Sequence, residues 1–161
     1  MSFGIESDPT PVRIVFLGGG EITGGLFVRR SASSRRRVET LGDRLDEPGV
    51  DFVPVETEDG GIEMVNVEGV AYLEQPGPPP EVAELRELGV PTGKVRVVLS
   101  SGEVLEGDFV ASGPPERNRL SDLLNHSGRF FLLADGRRSV YVHRRAVSRV
   151  RSAEAELSAV G

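Results

Sequence analysis

The densest run of reactive side chains is Arg29-Arg30-Ser31-Ala32-Ser33-Ser34-Arg35-Arg36-Arg37, five arginines within nine residues. A guanidinium group carries a permanent charge and a planar fork of donors, so such a run can clamp phosphates through paired hydrogen bonds. The same run also reads as a solvated loop balanced by the acids after it. A second basic set, Arg137, Arg138, Arg144, Arg145, Arg149 and Arg151, falls on the hairpin expected to close the chain. In alternating strands such residues usually make the wet face, and an anionic partner is their other use.

Nothing else in the sequence assembles into recognisable chemistry. Gly18-Gly19-Gly20 follows a strand pattern, but a nucleotide loop needs a helix and a lysine next, and a second strand pattern comes instead. His126 and His143 are the only histidines, and neither has the spaced acids of a metal site. With no cysteine, thiolate metal sites and disulfides are excluded. There is no Gly-x-Ser-x-Gly elbow, and Asp122 reads as pinning its own short helix to Arg119 or to nearby amides. No catalytic, cofactor-binding or metal-ligating residue is expected, and an enzyme is not.

The elements that must carry the arginines follow from period-two apolar patterns and turn signals. Six segments recur in one order. Val12-Arg13-Ile14-Val15-Phe16-Leu17 matches Val95-Arg96-Val97-Val98-Leu99-Ser100, and the stretch Gly20–Val28 matches Gly102–Val110. Arg37-Val38-Glu39-Thr40-Leu41 matches Arg119-Leu120-Ser121-Asp122-Leu123, and Phe52-Val53-Pro54-Val55 matches Phe130-Phe131-Leu132-Leu133. Met64–Val70 matches Tyr141–Val147, and glycine turns at Gly60 and Gly136 complete the correspondence. Chance alternation does not repeat six segments in order, so the pattern predicts a tandem duplication.

Each copy is expected to hold five strands, with a short helix or loop between the second and third. Leu120, Leu123 and Leu124 give the helix of the second copy one apolar face, and Asn125 suits its left-handed C-terminal cap. Val38, Leu41 and Leu45 give the first copy a comparable face, weakened by Gly42. Residues 1–11 read as a flexible N-terminus and 12–74 as the first unit. Residues 75–93 read as a proline-rich linker with a short helix, 94–151 as the second unit and 152–161 as a tail.

Charge is unevenly shared. Residues 1–80 hold 7 arginines and 14 acids, whereas residues 81–161 hold 12 basic residues and 11 acids, for a net charge of −6. That balance argues against a strongly basic nucleic-acid footprint over the whole chain. The chain shows neither a signal-peptide pattern nor an apolar run of membrane-spanning length, so a cytoplasmic protein without a membrane partner is expected. Lys94 is the sole lysine among 19 basic residues, a usage that suggests a GC-rich bacterial genome.

The order of a short helix, Lys94-Val95-Arg96-Val97-Val98-Leu99 and Ser101-Gly102-Glu103-Val104-Leu105-Glu106-Gly107 resembles the opening half of Sm-like proteins. Val140–His143 and Ala146–Val150 resemble their last two strands. The segment Arg119-Leu120-Ser121-Asp122-Leu123-Leu124-Asn125 is similar to a signature of an uncharacterised bacterial Sm-like domain family. The likeness covers most of residues 81–151 and, more weakly, 12–74. It implies a mainly β fold of two tandem five-stranded Sm-like (SH3-like) small barrels. RNA-binding members carry an acid and an asparagine after the second strand and an Arg-Gly pair between the last two. Here those places read Ser112-Gly113-Pro114-Pro115-Glu116 and His143-Arg144-Arg145, where Arg144 alone can stand for the stacking arginine.

The expected function is therefore a non-enzymatic scaffold that binds a protein partner and needs no cofactor. Its open edge strands also suit homo-oligomers. The alternative is RNA or single-stranded nucleic-acid binding through Arg29, Arg30, Arg35, Arg36 and Arg37 and through Arg137, Arg138, Arg144 and Arg145.

Overall fold

The computed structural model describes residues 7–29, 41–77, 92–110, 120–126 and 128–152. Alternating apolar side chains put ten strands into these segments. They are β1 (Ser7–Phe16), β2 (Glu21–Arg29), β3 (Phe52–Thr57), β4 (Ile62–Asn66), β5 (Val70–Pro76), β6 (Thr92–Leu99), β7 (Val104–Val110), β8 (Phe130–Ala134), β9 (Arg138–His143) and β10 (Val147–Ser152). Two short helices, α1 (Leu41–Leu45) and α2 (Leu120–His126), lie before β3 and β8, and a single 3-10 turn precedes β5 and β10. Leu41 and Leu45 are buried, and Leu120 and Leu124 pack against the second core, so both helices serve as core cover.

The strands form one open antiparallel sheet in the order β10-β6-β7-β8-β9-β5-β1-β2-β3-β4. Two separate five-stranded barrels joined by a proline-rich spacer were the expectation; the strands form a single open sheet instead, because β5 runs through Gln75 and Pro76 and pairs directly with β9. Pro76 is tolerated because it is the last residue of its strand, where a missing N–H interrupts little. Thr92 and Gly93, also assigned to the linker, open β6, and residues 78–91 lie outside the described residues. Residues 7–11, expected to be flexible, are strand, held by pairs such as Pro9 with Phe27 and Pro11 with Gly25.

Within this sheet the two halves of the chain follow one route. β5-β1-β2-β3-β4 and β10-β6-β7-β8-β9 have the same order, with the fifth strand beside the first. Details repeat as well. Leu17 N–H donates to the Gly69 carbonyl at 2.9 Å, and Ser100 N–H to that of Ala146 at 2.8 Å. Val67 N–H reaches the Asp51 carbonyl, and Arg144 N–H that of Arg129, at 2.7 and 2.9 Å. The 3-10 turns are capped alike: Asn66 Oδ1 accepts from Glu68 N–H and His143 Nδ1 from Arg145 N–H.

Register corrects one sequence alignment by a residue. Val12 faces Gly24 and Val95 faces Gly107, so Gly107 corresponds to Gly24 and not to Gly25. Leu26 and Phe109 then take the same inward place, which their burial agrees with. Both glycines sit where a strand leaves one neighbour for the next. A Cβ on Gly24 would overlap the Glu56 carbonyl oxygen, and one on Gly107 would lie 3.1 Å from that of Ala134.

The sheet buries two cores. One gathers Val12, Ile14, Leu26, Leu45, Val53 and Val55 of the first half, and the other Val95, Val97, Leu105, Phe109, Phe131 and Leu133 of the second. β8 serves both: Phe130, Leu132 and Ala134 join the first core, while Phe131 and Leu133 join the second. Since neighbouring residues of a strand point to opposite faces, the cores lie on opposite sides of the sheet.

Gly24→Val should lower stability by about 2–3 kcal/mol, because the bend has no room for a side chain. Urea unfolding followed by circular dichroism reads the change, and a neutral result would contradict the tight β2–β3 approach.

Candidate interaction surface

Two places in this sheet resemble each other in position and differ in what covers them. The first is the internal junction. Phe130-Phe131-Leu132-Leu133-Ala134 is an unbroken apolar run, which is the composition of a strand buried on both faces. Its outer residues, with Tyr141 of β9, lie under the first half of the chain and belong to that half's core. β5 then pairs with β9, placing Tyr72 opposite Val142, Leu73 opposite Tyr141 and Glu74 opposite Val140.

Charged groups pin this junction. Arg129 donates through Nη2 to the carbonyls of Leu45 at 2.7 Å and Val50 at 2.9 Å, and its Nη1 meets Glu68 Oε2 at 3.1 Å. Phe130 N–H donates to Asp46 Oδ1 at 3.3 Å. Along the strands, Glu74 Oε1 receives Arg13 at 2.6 Å and Arg138 at 2.8 Å, and Tyr72 O–H donates to Glu103 Oε2 at 2.6 Å. Burial, and then that bond to Glu103, push the Tyr72 phenol up to about 12. The Arg129 guanidinium holds the Glu68 carboxyl below its usual range, and the Arg13 guanidinium does the same for exposed Glu21.

His143 sits inside this charged seam, 4% exposed, edge-on to Phe130 with ring centroids 4.7 Å apart. Because Nδ1 accepts the Arg145 N–H, the neutral ring carries its proton on Nε2. That atom has no hydrogen-bond partner, and Glu68 Oε1 is 3.6 Å away. Burial depresses the His143 pKa, with Arg145 and Arg129 adding to the effect and Glu68 opposing it.

The second place is the far end of the sheet. β3 and β4 occupy in the first half the positions of β8 and β9 in the second, so Phe52, Pro54 and Met64 correspond to Phe130, Leu132 and Tyr141. Phe52 and Met64 are left exposed, and Pro54 is only partly buried. Phe52 is 53% exposed, Ile62 55% and Met64 59%, the three most exposed large apolar side chains described. β4 and β10 are the two ends of the sheet, and no described strand lies beyond either.

The arginines expected to form one binding face are separated. β9 and β10 were read as a hairpin, but β10 crosses over to pair with β6, three strands away from β9. The crossover follows from the 3-10 turn Arg144–Ala146, which redirects the chain between them. Arg138 is held by Asp135 and Glu74, Arg145 reaches Glu68 at 3.3 Å, and Arg137 is exposed in the β8–β9 turn. Arg144 donates to the carbonyls of Leu124 at 2.9 Å and Asn125 at 3.1 Å, closing the C-terminus of α2. Asn125 is thus inside the helix, which continues to His126, and is not its left-handed cap. Arg30, Arg35, Arg36, Arg37 and Arg119 lie outside the described residues. Arg29 and Asp122 are described as backbone only, in β2 and α2.

Sequence reading missed Arg129, His143 and Glu68 as a group, and it missed the uncovered Phe52, Ile62 and Met64. A slight signal existed for the latter: Phe130-Phe131-Leu132-Leu133-Ala134 is apolar throughout, whereas its counterpart Phe52-Val53-Pro54-Val55-Glu56 ends in a charge. No family model, curated protein or solved structure matches this chain.

Two outcomes test the junction. Arg129→Met removes a charged donor from buried carbonyls and should cost about 2–4 kcal/mol in urea unfolding. For His143, a depressed folded pKa means that the unfolded chain binds the extra proton first. Stability is then full above the ordinary value near 6.5 and falls as pH drops toward the folded value. His143→Asn, which copies Asn66, should keep the cap and abolish the part of the stability loss seen between about pH 7 and 5. An unchanged pH profile in that variant would remove His143 as its source.

Proposed function

We propose that this chain is a non-enzymatic interaction module, built from two copies of one Sm-like five-stranded unit and binding a protein at an open sheet edge. The observation that carries the proposal is the β4 end of the sheet. There an edge strand and exposed Phe52, Ile62 and Met64 lie side by side. An edge strand offers backbone N–H and C=O groups whose hydrogen bonds to an added strand give affinity, and neighbouring apolar side chains select which strand is added. The repeated strand order, the matched turn bonds and the repeated caps support a shared origin for the two units. The sequence resemblance supports their Sm-like character.

Nucleic-acid binding is the weaker reading. Of its arginines, Arg138, Arg144 and Arg145 are engaged within the chain, and Arg149 and Arg151 are at the opposite end of the sheet from β4. No helix among the described residues is long and apolar enough to cross a membrane.

Fluorescence anisotropy with single-stranded RNA and DNA should stay flat at low salt. A photo-crosslinking residue at position 62 should give protein adducts in the native host. Steeply salt-dependent oligonucleotide binding, with nucleic acid as the sole adduct, would transfer the function to phosphate recognition.

A further inference from the structure

We infer that the partner taken up at β4 is an extended segment of another protein in which apolar residues alternate with arginine or lysine. The inference rests on the reading above that a protein is bound at this edge, and it adds the chemistry of the strand that fits.

Backbone phase sets the open side of β4. Thr57 N–H donates to the Gly61 carbonyl at 2.8 Å, and Val67 N–H to the Asp51 carbonyl at 2.7 Å. In an antiparallel ladder, hydrogen-bonded pairs alternate with open ones, and both ends give the same phase. Glu63 with Val55 and Val65 with Val53 are then the bonded pairs. The backbone groups of Glu63 and Val65 turn toward β3, while those of Ile62, Met64 and Asn66 turn out to the free edge. Ile62 and Met64 are also the exposed apolar residues of β4, and they share a face with Phe52. A strand hydrogen-bonded to this edge sets every second side chain beside them, which favours apolar residues at those positions.

The intervening side chains fall on the other face, beside Glu63, and there charge selects. Residues 45–77 contain nine acids and no basic residue, so arginines from elsewhere in the chain must relieve them. Asp51 and Glu68 have Arg129, and Glu74 has Arg13 and Arg138. Glu56, Glu58, Asp59 and Glu63 are exposed around the β3–β4 turn and have no ion pair among the described residues.

The junction within the chain supplies the contrast. There β5 sets Glu74 opposite Val140 of β9. On β4 the place of Val140 is held by Glu63, and on β3 the place of Ala134 is held by Glu56. A strand with an acid at that position, as β5 has, is repelled at β4, whereas a base there is attracted. The same four carboxylates repel a polyanion.

The test uses the full-length chain and a short fluorescent peptide of alternating valine and arginine. Anisotropy should show saturable binding. A valine–glutamate peptide, and one with the same valines and arginines in two blocks, should bind about tenfold more weakly. Glu63→Arg, with the circular dichroism spectrum unchanged, should exchange the preference in favour of the valine–glutamate peptide, and Met64→Asp should weaken both. N-methylation of alternate amides should abolish binding in one phase and spare it in the other, because only every second amide of an added strand faces β4. No binding up to millimolar, equal binding of the block peptide, or a Glu63→Arg chain that keeps the arginine preference overturns the inference. So does growth of the chain's own mass with concentration that the peptide cannot compete away, which would give the edge to a second copy. A valine–glutamate peptide that binds as tightly and crosslinks to position 62 would overturn the basic partner and leave the edge reading standing. A peptide that binds without crosslinking to position 62 would overturn both.

Discussion

The pairing of β5 with β9 converts two short runs of five strands into one sheet, and most other features depend on it. A half of this size buries a small fraction of its surface and is marginal alone. Joined edge to edge, the second half lends the outer face of β8 and β9 to the first half's core. In return, Ala71 and Tyr72 of β5 enter the second core. The backbone ladder and the two apolar clusters are thus parts of one interaction.

Corresponding positions show how environment changes what a residue does. Asn66 and His143 perform the same cap, yet only His143 lies in a buried seam, and only it acquires a depressed pKa. Asp51 and Arg129 occupy one place, and the exchange of an acid for a guanidinium supplies the donors that clamp three backbone carbonyls of the first half. Glu56 is exposed and Pro54 only partly buried where Ala134 and Leu132 are packed. The outer face of the second half is interior, and that of the first carries polar residues beside its exposed Phe52, Ile62 and Met64.

The distribution of arginine follows the same logic. A guanidinium near a carboxylate stays within the chain and serves register, as with Arg13 between Glu21 and Glu74. Such paired groups leave little net positive field for a polyanion.

Strand existence was legible in the sequence, because period two is a local property: Val12, Ile14 and Leu105 point inward by alternation alone. So were the matched order of segments, the α1 face of Leu41 and Leu45, and the turn glycines. Less legible were positions set by partners far along the chain. The one-residue slip at Gly107 needed cross-strand register, and the role of Arg129 needed a contact across 84 residues with Leu45. The β10 crossover also lay beyond local reading, since a turn between two strand patterns looks like a hairpin whichever neighbour the second strand chooses. Local alternation and turn chemistry thus determined which residues form strands and which side of each faces inward. Tertiary structure alone decided that the two halves share one sheet, because hydrogen bonding between edges and burial of an outer face depend on which strands meet.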